Sequence, residues 1–276
     1  MTTEFERTVV EPMRLGDREV TVVDLSRPLA NGAAGAEPNP HRIEYVDHRE
    51  SVRRIGPVLG SVGLWREDLG GASETVELTT HSGTHVDAPY HYGPESGGEP
   101  ARTIDAVPLS WCMGPGVLLD FSAREVGEGI TDADVARELE RIGHRLAPGE
   151  IVLIRTDAWQ RFGEPGYSNL QPGLRRSATA MLVEAGVRMI GIDAWGLDRP
   201  FDVMVAEARE GDRDQFWESH YYGTEREYLQ IEQLCNLDKI PAPTGFTVLA
   251  LPVLIAGASA AWSRTVALLD EGEAAA

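Results

Sequence analysis

The stretch His81-Ser-Gly-Thr-His85-Val-Asp87-Ala-Pro-Tyr-His91 places three of the chain's seven histidines and an aspartate within eleven residues. Imidazole and carboxylate groups are the side chains that hold divalent first-row metal ions at neutral pH. In an extended chain, His81, His85 and Asp87 share one parity and face the same side. A straight strand from 81 to 87 would span roughly 20 Å, so the chain must turn for these side chains to meet. We predict that the turn lies at Ser82-Gly83-Thr84 and that the stretch is a metal site.

His91 has the same parity but lies beyond Pro89, which together with Gly83 disfavours a continuous helix through the stretch. An imidazole next to a metal ion either binds the ion or transfers protons near neutral pH. The residues alone leave both roles open for His91.

The motif HxGTHxDxPxH resembles the signature of the metal-dependent cyclase superfamily, which includes bacterial kynurenine formamidases, isatin hydrolases and actinobacterial polyketide cyclases. The chain has all seven fixed positions, namely His81, Gly83, Thr84, His85, Asp87, Pro89 and His91. The resemblance implies that His81, His85 and Asp87 bind metal and that His91 is the catalytic acid/base. It also implies an α/β protein with a swivelling β/β/α fold, in which helices flank a mixed, barrel-like sheet.

A second match to the superfamily lies downstream, where His220 is followed twelve positions later by Glu232, shortly before Asn236-Leu237. By resemblance, His220 and Glu232 complete the metal site. A glutamate at this position implies room for two ions, whereas a glutamine implies one, and zinc and manganese both occur in the superfamily. Without the resemblance, both residues would be interpreted as surface residues of a polar loop.

Aromatic residues provide the candidates for substrate binding. Trp65 and Trp262 lie near predicted loops or strand ends, and Tyr92 follows His91 directly. Such residues could stack on a flat aromatic substrate, although packing in the core is also an explanation for each of them. Together with the long segment 201–228, they predict an aromatic or polycyclic small-molecule substrate. Residues 257–264 depart from the Gly-Ser-Pro-x-Arg pattern that many superfamily members carry there.

Composition limits the remaining possibilities. A formal charge of −19 argues against nucleic acid as a partner, because phosphate binding needs clustered Lys and Arg. No apolar run approaches the roughly 20 residues of a membrane span, and the N-terminal residues do not resemble a signal peptide. Cys112 and Cys235 form no CxxC pair, which fits a reducing, cytoplasmic setting. We predict one domain over 1–276 with flexible tails at 1–15 and 270–276, and the resemblance implies a homodimer or homotetramer.

Local patterns predict the elements around the motif. A helix is expected over 131–142 with Thr131 as its N-cap, and a second one from Pro172 to Gly186. Residues 30–60 are expected to be loop-rich, and the polar segment 93–100 is a candidate lid. Apolar or alternating runs predict strands over 18–25, 74–80, 117–121, 151–154, 187–192, 248–254 and 266–269.

Two reaction types are compatible with a metal ion beside His91. If the substrate is a polyketide ketone or enolate, the residues support intramolecular aldol ring closure, and this aromatic polyketide cyclase is the function we predict first. If water attacks, the same residues hydrolyse a cyclic amide or an N-formyl arylamine, which is the alternative. A non-catalytic metal-binding protein is a third hypothesis, against which the presence of His91 argues.

Overall fold

The computed structural model describes residues 7–31 and 41–270 of the chain. Its strands in this part are Val10–Leu15 (β1), Arg18–Asp24 (β2), Arg42–Val46 (β3), Ser73–Glu77 (β4), His85–Asp87 (β5), Glu95–Ser96 (β6), Glu99–Pro100 (β7), Met113–Asp120 (β8), Gly129–Ile130 (β9), Ile151–Arg155 (β10), Gly173–Leu174 (β11), Met189–Ile192 (β12), Leu229–Glu232 (β13), Phe246–Leu249 (β14), Ala260–Trp262 (β15) and Val266–Asp270 (β16). The α-helices are His48–Leu59 (α1), Pro89–Tyr92 (α2), Asp132–Arg141 (α3), Arg176–Glu184 (α4), Phe201–Arg209 (α5) and Glu218–Tyr222 (α6).

Ten of the strands form one mixed sheet in the order β1-β2-β16-β14-β8-β10-β12-β13-β5-β15. Neighbours among β8, β10, β12 and β13 are parallel, and the other neighbours in this sheet are antiparallel. This mixed sheet with flanking helices confirms the predicted α/β fold. The carboxyl ends of parallel strands are where α/β proteins commonly bind ligands.

The apolar run Ile151-Val-Leu-Ile154 shows why the centre of the sheet is buried on both sides. Its side chains alternate between two core clusters, with Ile151 and Leu153 in one and Val152 and Ile154 in the other. Helices α3 and α4 cover the second cluster through Val135, Leu182 and their neighbours. The first cluster gathers residues from both ends of the sheet, including Val23 of β2 and Val86 of β5. The sheet therefore curls around this core.

Helix α3 confirms the prediction of an N-cap at Thr131. The Thr131 side chain accepts a hydrogen bond from the Asp134 backbone N–H, and the Asp134 side chain accepts one from that of Thr131. Helix α4 begins at Arg176, four residues later than predicted, because Gly173–Leu174 first pairs with Gly129–Ile130 as a short parallel ladder. The helix ends at Glu184, close to the predicted end at Gly186, which has φ +100°.

The prediction of a loop-rich segment over 30–60 is wrong for the part of it that the structure describes. Strand β3 pairs with β4, and α1 follows with Asp47 as N-cap and left-handed Gly60 as C-cap. Pro57 lies inside this helix, which continues for two residues beyond it. Residues 32–40 lie outside the described residues.

The termini and the candidate lid take definite forms where the structure describes them. Residues 10–15, expected to be flexible, form β1 and pair with β2, whereas 1–6 and 271–276 lie outside the described residues. The segment 93–100 forms the β6–β7 hairpin. Ser96 Oγ of this hairpin donates to the Gly223 carbonyl next to α6. Within the described ranges, no helix is long and apolar enough to cross a membrane.

Candidate metal centre

Strand β5 brings part of the motif together with Glu232 through its register in the sheet. β5 lies between β13 and β15, and His85 is directly opposite Glu232 of β13. Opposed residues in an antiparallel pair share a face, with Cβ atoms about 4.5–5.5 Å apart, and Asp87 shares that face because it is two residues from His85. His85 Nε2 consequently lies 3.3 Å from Asp87 Oδ1 and 3.6 Å from Glu232 Oε2.

His81 reaches the same cluster because the chain turns just before β5. Gly83 has φ +62°, a left-handed conformation that glycine adopts without steric cost, and it lies within the turn predicted from the sequence. His81 Nδ1 comes to 2.8 Å from Asp87 Oδ1, and its Nε2 lies 3.0 Å from Ser259 Oγ. Ser259 precedes β15, so both neighbours of β5 in the sheet contribute to the cluster.

His220 enters from α6 and is oriented by Asp198, a residue that sequence analysis missed. The Asp198 carboxylate accepts hydrogen bonds from the backbone N–H groups of Ser219 and His220, at 2.7 and 3.2 Å. It also accepts one from His220 Nδ1 at 2.5 Å. His220 Nε2 therefore points into the cluster, 3.8 Å from Glu232 Oε1 and 4.0 Å from Asp87 Oδ2. A usable signal was the position of Asp198, shortly after the buried strand β12.

The donor atoms of this cluster fit a divalent metal ion. His85 Nδ1 lies 2.8 Å from the Gly83 carbonyl oxygen, so Nδ1 carries the proton and Nε2 is left to bind a cation. His85 Nε2 and both Asp87 oxygens are buried and take part in no aligned hydrogen bond. Buried polar atoms without partners are costly. A cation satisfies them, because two sets of ligand atoms, His81/Asp87/His91 and His85/Asp87/Glu232, each lie within 4.8 Å of one another.

The pKa values of these groups reflect burial and close charges. Burial opposes protonation of His85, but the charges of Asp87 and Glu232 outweigh it and raise the His85 pKa to about 9. Burial, reinforced by the Asp87 charge, raises the Glu232 pKa to about 7. Burial would raise the pKa of Asp87 as well, yet His91 and His85 hold it well below its ordinary value. A cation bound here would replace the protons of these ligands.

His91 is adjacent to the cluster, and its pKa is shifted in the opposite direction to those of His85 and His220. Burial, together with the neighbouring histidines, lowers the His91 pKa to about 4 against the attraction of Asp87. The imidazole is consequently neutral at pH 7 and can accept a proton. Its ring centroid lies 4.1 Å from that of His81 and 5.7 Å from that of Trp217.

A cavity of about 230 Å³ opens beside His91 and His220. Trp217 stacks on the His220 ring at 4.3 Å and has φ +53°, an unfavourable backbone conformation of the kind that occurs at functional sites. The cavity is lined by His81, His91, Gln171, Trp195, Gly196, Asp198, Arg199, Phe201, Trp217, His220, Glu232 and Gln233. The aromatic lining residues Trp195, Phe201 and Trp217 were not among the residues predicted to bind substrate.

The three aromatic residues predicted to bind substrate lie outside the lining of this cavity. Tyr92 is buried behind it and stacks on Tyr228 at 5.3 Å. Trp65 donates its indole N–H to Ser61 Oγ, next to α1. Trp262 donates to the Thr79 carbonyl and lines a separate depression. Proximity to loops in the sequence did not indicate which loops meet in space.

Comparison with known proteins identifies relatives of this chain. Residues 23–199 match a protein-family model described as "Putative cyclase". A kynurenine formamidase from Bacillus mycoides (strain KBAB4) is 30% identical over 184 residues, which are 65% of this chain and 71% of that relative. A kynurenine formamidase from Maricaulis maris (strain MCS10) is 30% identical over 189 residues, covering 68% of this chain and 77% of the relative.

Solved structures share the fold. An isatin hydrolase bound to the product analogue thioisatinate matches with a TM-score of 0.72 and 21% identity, over 91% of this chain and 93% of that chain. Isatin hydrolase A from Ralstonia solanacearum matches with a TM-score of 0.70 and 23% identity, over 91% and 92% of the two chains. The family model covers more than half of this chain, and the relatives reach 30% identity. The chain therefore belongs to the cyclase family and is a metal-dependent enzyme of the cyclase or amide-hydrolase type.

Proposed function

We propose that the protein is a metal-dependent hydrolase that cleaves the amide bond of an N-formyl arylamine or of a cyclic aryl amide. The observation that carries this proposal is the cavity with aromatic walls, which opens directly onto neutral His91 and the carboxylate–histidine cluster. The relatives named as kynurenine formamidases support the same reaction class.

The size of the cavity favours hydrolysis of a small aryl amide over ring closure of a polyketide. Pockets for drug-sized ligands occupy about 300–1,000 Å³, and this cavity, at about 230 Å³, is smaller. One or two fused rings suit such a space better than a polycyclic polyketide does. We therefore place amide hydrolysis ahead of aromatic polyketide cyclisation, which the sequence had favoured.

We assign the metal-binding role to His81, His85, Asp87, His220 and Glu232. A zinc or manganese ion bound there would act as a Lewis acid toward a carbonyl oxygen or lower the pKa of a water molecule to about 7. Glu232, a residue that by resemblance implies room for two ions, converges with His85 and Asp87, and this supports a site that would hold two ions.

His91 is proposed as the proton carrier. Its neutral imidazole accepts a proton from the attacking water, and the water oxygen forms a bond to the amide carbon. His91 then returns that proton to the departing nitrogen as the carbon–nitrogen bond breaks. Trp195, Phe201 and Trp217 form an apolar wall beside this histidine and would orient the aryl ring of the substrate.

The test is turnover by the zinc- or manganese-loaded protein on N-formylkynurenine, isatin and a set of aryl esters and lactams, with a chelator control. Chelator-sensitive hydrolysis of an amide in this set is the expected result. No turnover of any of them by protein with confirmed metal content would refute the proposal and direct the search to ring closure. A homo-oligomeric state and a cytoplasmic location remain predictions, which light scattering and cell fractionation test.

A further inference from the structure

Gln171 connects the cavity wall to the metal-binding cluster without contacting the cluster itself. We propose that Gln171 is a positioning residue, which holds the Trp195–Asp198 loop in the one conformation that sets His220 and Glu232 for metal binding. The inference rests on the proposed metal site, and it concerns metal affinity rather than the reaction that follows.

The Gln171 side chain uses both ends of its amide on this loop. Its Oε1 accepts a hydrogen bond from the Trp195 backbone N–H at 2.7 Å and faces that of Gly196 at 3.4 Å. Its Nε2 donates to the carbonyl oxygens of Gly196 and Asp198, at 2.8 and 2.9 Å. The residue is 1% exposed, so water does not replace these bonds. Nearly all hydrogen-bonding capacity of this amide is therefore spent on one four-residue loop.

The backbone that follows Gln171 restricts the loop further. The Leu174 N–H donates to the Leu197 carbonyl at 2.9 Å. A side chain at Gly173 would bring its Cβ to 2.2 Å from the Asp198 carbonyl carbon, so the two segments are in direct backbone contact. Between them, Gln171 and Leu174 satisfy most of the polar backbone groups of the loop, which buried segments require.

Two groups of the same loop act on candidate metal ligands. The Leu197 N–H donates to Glu232 Oε1 at 3.0 Å. The Asp198 carboxylate holds His220 by accepting from its Nδ1 and its backbone N–H. A shift of the loop would therefore move a carboxylate and an imidazole together. Outer partners of metal ligands typically contribute about 10–100-fold to metal affinity, and we expect Gln171, which acts through two of them, to contribute about tenfold.

Substitution of Gln171 by methionine tests this role, because methionine has the same unbranched length and removes the amide. The readout is the dissociation constant for Zn²⁺ alone, measured on metal-stripped protein by competition with a chromophoric chelator. The matched control is Thr131→Ala, which removes the N-cap of α3 and lowers the stability of the protein away from the cluster. We expect the Zn²⁺ dissociation constant to rise about tenfold for Gln171→Met and to stay unchanged for Thr131→Ala.

A double-mutant cycle separates positioning from a general structural role. In a His220→Ala/Glu232→Gln background, which lacks both ligands that the loop sets, Gln171→Met should have no further effect on Zn²⁺ affinity. An equal effect in both backgrounds, an unchanged affinity of the single variant, or an equal loss in Thr131→Ala would each overturn the proposal. Gln171→Glu serves if the methionine variant does not fold. The glutamate keeps an acceptor for the Trp195 N–H but places an oxygen, which cannot donate, against the carbonyl oxygens of Gly196 and Asp198. This variant should therefore weaken Zn²⁺ binding at least as much as Gln171→Met does.

Because the readout is Zn²⁺ binding, the inference and the proposed function fail separately. A protein that hydrolyses no amide but loses Zn²⁺ affinity on Gln171→Met retains the positioning role. A protein that hydrolyses amides and keeps its Zn²⁺ affinity on the same substitution contradicts only the positioning role.

Discussion

Replacement of Asp198 by asparagine removes one negative charge from the far side of His220 and changes almost nothing in shape. The carboxylate accepts three N–H groups, from the Ser219 backbone and from the backbone and Nδ1 of His220. Asparagine offers one acceptor oxygen, so its NH₂ group must oppose at least one of these donors. The residue is 4% exposed, and the loss of a buried hydrogen bond to a charged group costs about 1.5–3 kcal/mol.

The same substitution acts on the imidazole in a defined direction. If the asparagine NH₂ group faces Nδ1, that nitrogen must accept a hydrogen bond, so the His220 proton moves to Nε2. Nε2 is the nitrogen that points toward Asp87 and Glu232. That nitrogen then offers no lone pair to a cation. We expect Zn²⁺ affinity to fall about 10–100-fold, which corresponds to about 1.4–2.8 kcal/mol.

The assay is competition for Zn²⁺ at pH 7, with urea unfolding of the metal-stripped protein beside it. Asp134→Asn is the matched control, because Asp134 is similarly buried, accepts the N–H of Thr131 and lies in the α3 cap away from the cluster. Both variants should lose stability, and only Asp198→Asn should lose Zn²⁺ affinity. If Asp198→Asn destabilises the protein but binds Zn²⁺ within twofold of the original, then His220 is not a ligand oriented by Asp198.

Four further outcomes test the assignments around the cluster. Asp87→Ala should abolish metal binding and remove the thermal stabilisation that added metal confers; retained metal, measured by elemental analysis, would contradict the ligand assignment. His91→Ala should keep its metal and lose turnover by about 10²–10⁴-fold, and normal kinetics would exclude His91 from proton transfer. Glu232→Gln should reduce the bound ions from two toward one, whereas an unchanged stoichiometry would refute the two-ion site. Because the folded-state pKa of His91 is about 4 and lies below its unfolded value, His91 reduces stability as pH falls from about 6.5 to 4. Metal-stripped His91→Gln should lose less stability over that window, and an NMR titration of His91 near pH 6.5 would show the premise to be wrong.

Sequence patterns within the motif predicted the part of the metal centre whose residues are close together in the chain. The alternating positions and Gly83 were sufficient for the convergence of His81, His85 and Asp87, because a single turn brings them together. Residue patterns alone placed His220 and Glu232 on the surface, and only the resemblance assigned them to the metal. Glu232 reaches His85 through the register of two strands that are distant in the chain, and such pairing leaves no periodic signal near either residue.

The remaining site residues depend on which loops converge at the carboxyl ends of the parallel strands. Gln171 contacts backbone groups of one loop, and Asp198 contacts two backbone N–H groups and the His220 imidazole, so their side-chain types alone gave no indication of these contacts. The same limitation explains why Trp217, which lines the cavity, was not named in the sequence analysis, whereas Trp65 and Trp262, which lie outside the lining, were. Helix α1 was missed for a different reason, because its capping residues Asp47 and Gly60 were not considered.

The position of β5 between β13 and β15 has a consequence for the order of events in the cell. The motif leaves the ribosome before β13 and β15, the two strands that pair with β5, because both follow it in the chain. A nascent chain that has exposed His81 to His91 therefore has neither Glu232 nor the hydrogen-bonding partners that hold β5 extended. Selection of the ion must then follow synthesis of β13 and β15, when the folded sheet rather than the bare histidine-rich segment competes for it.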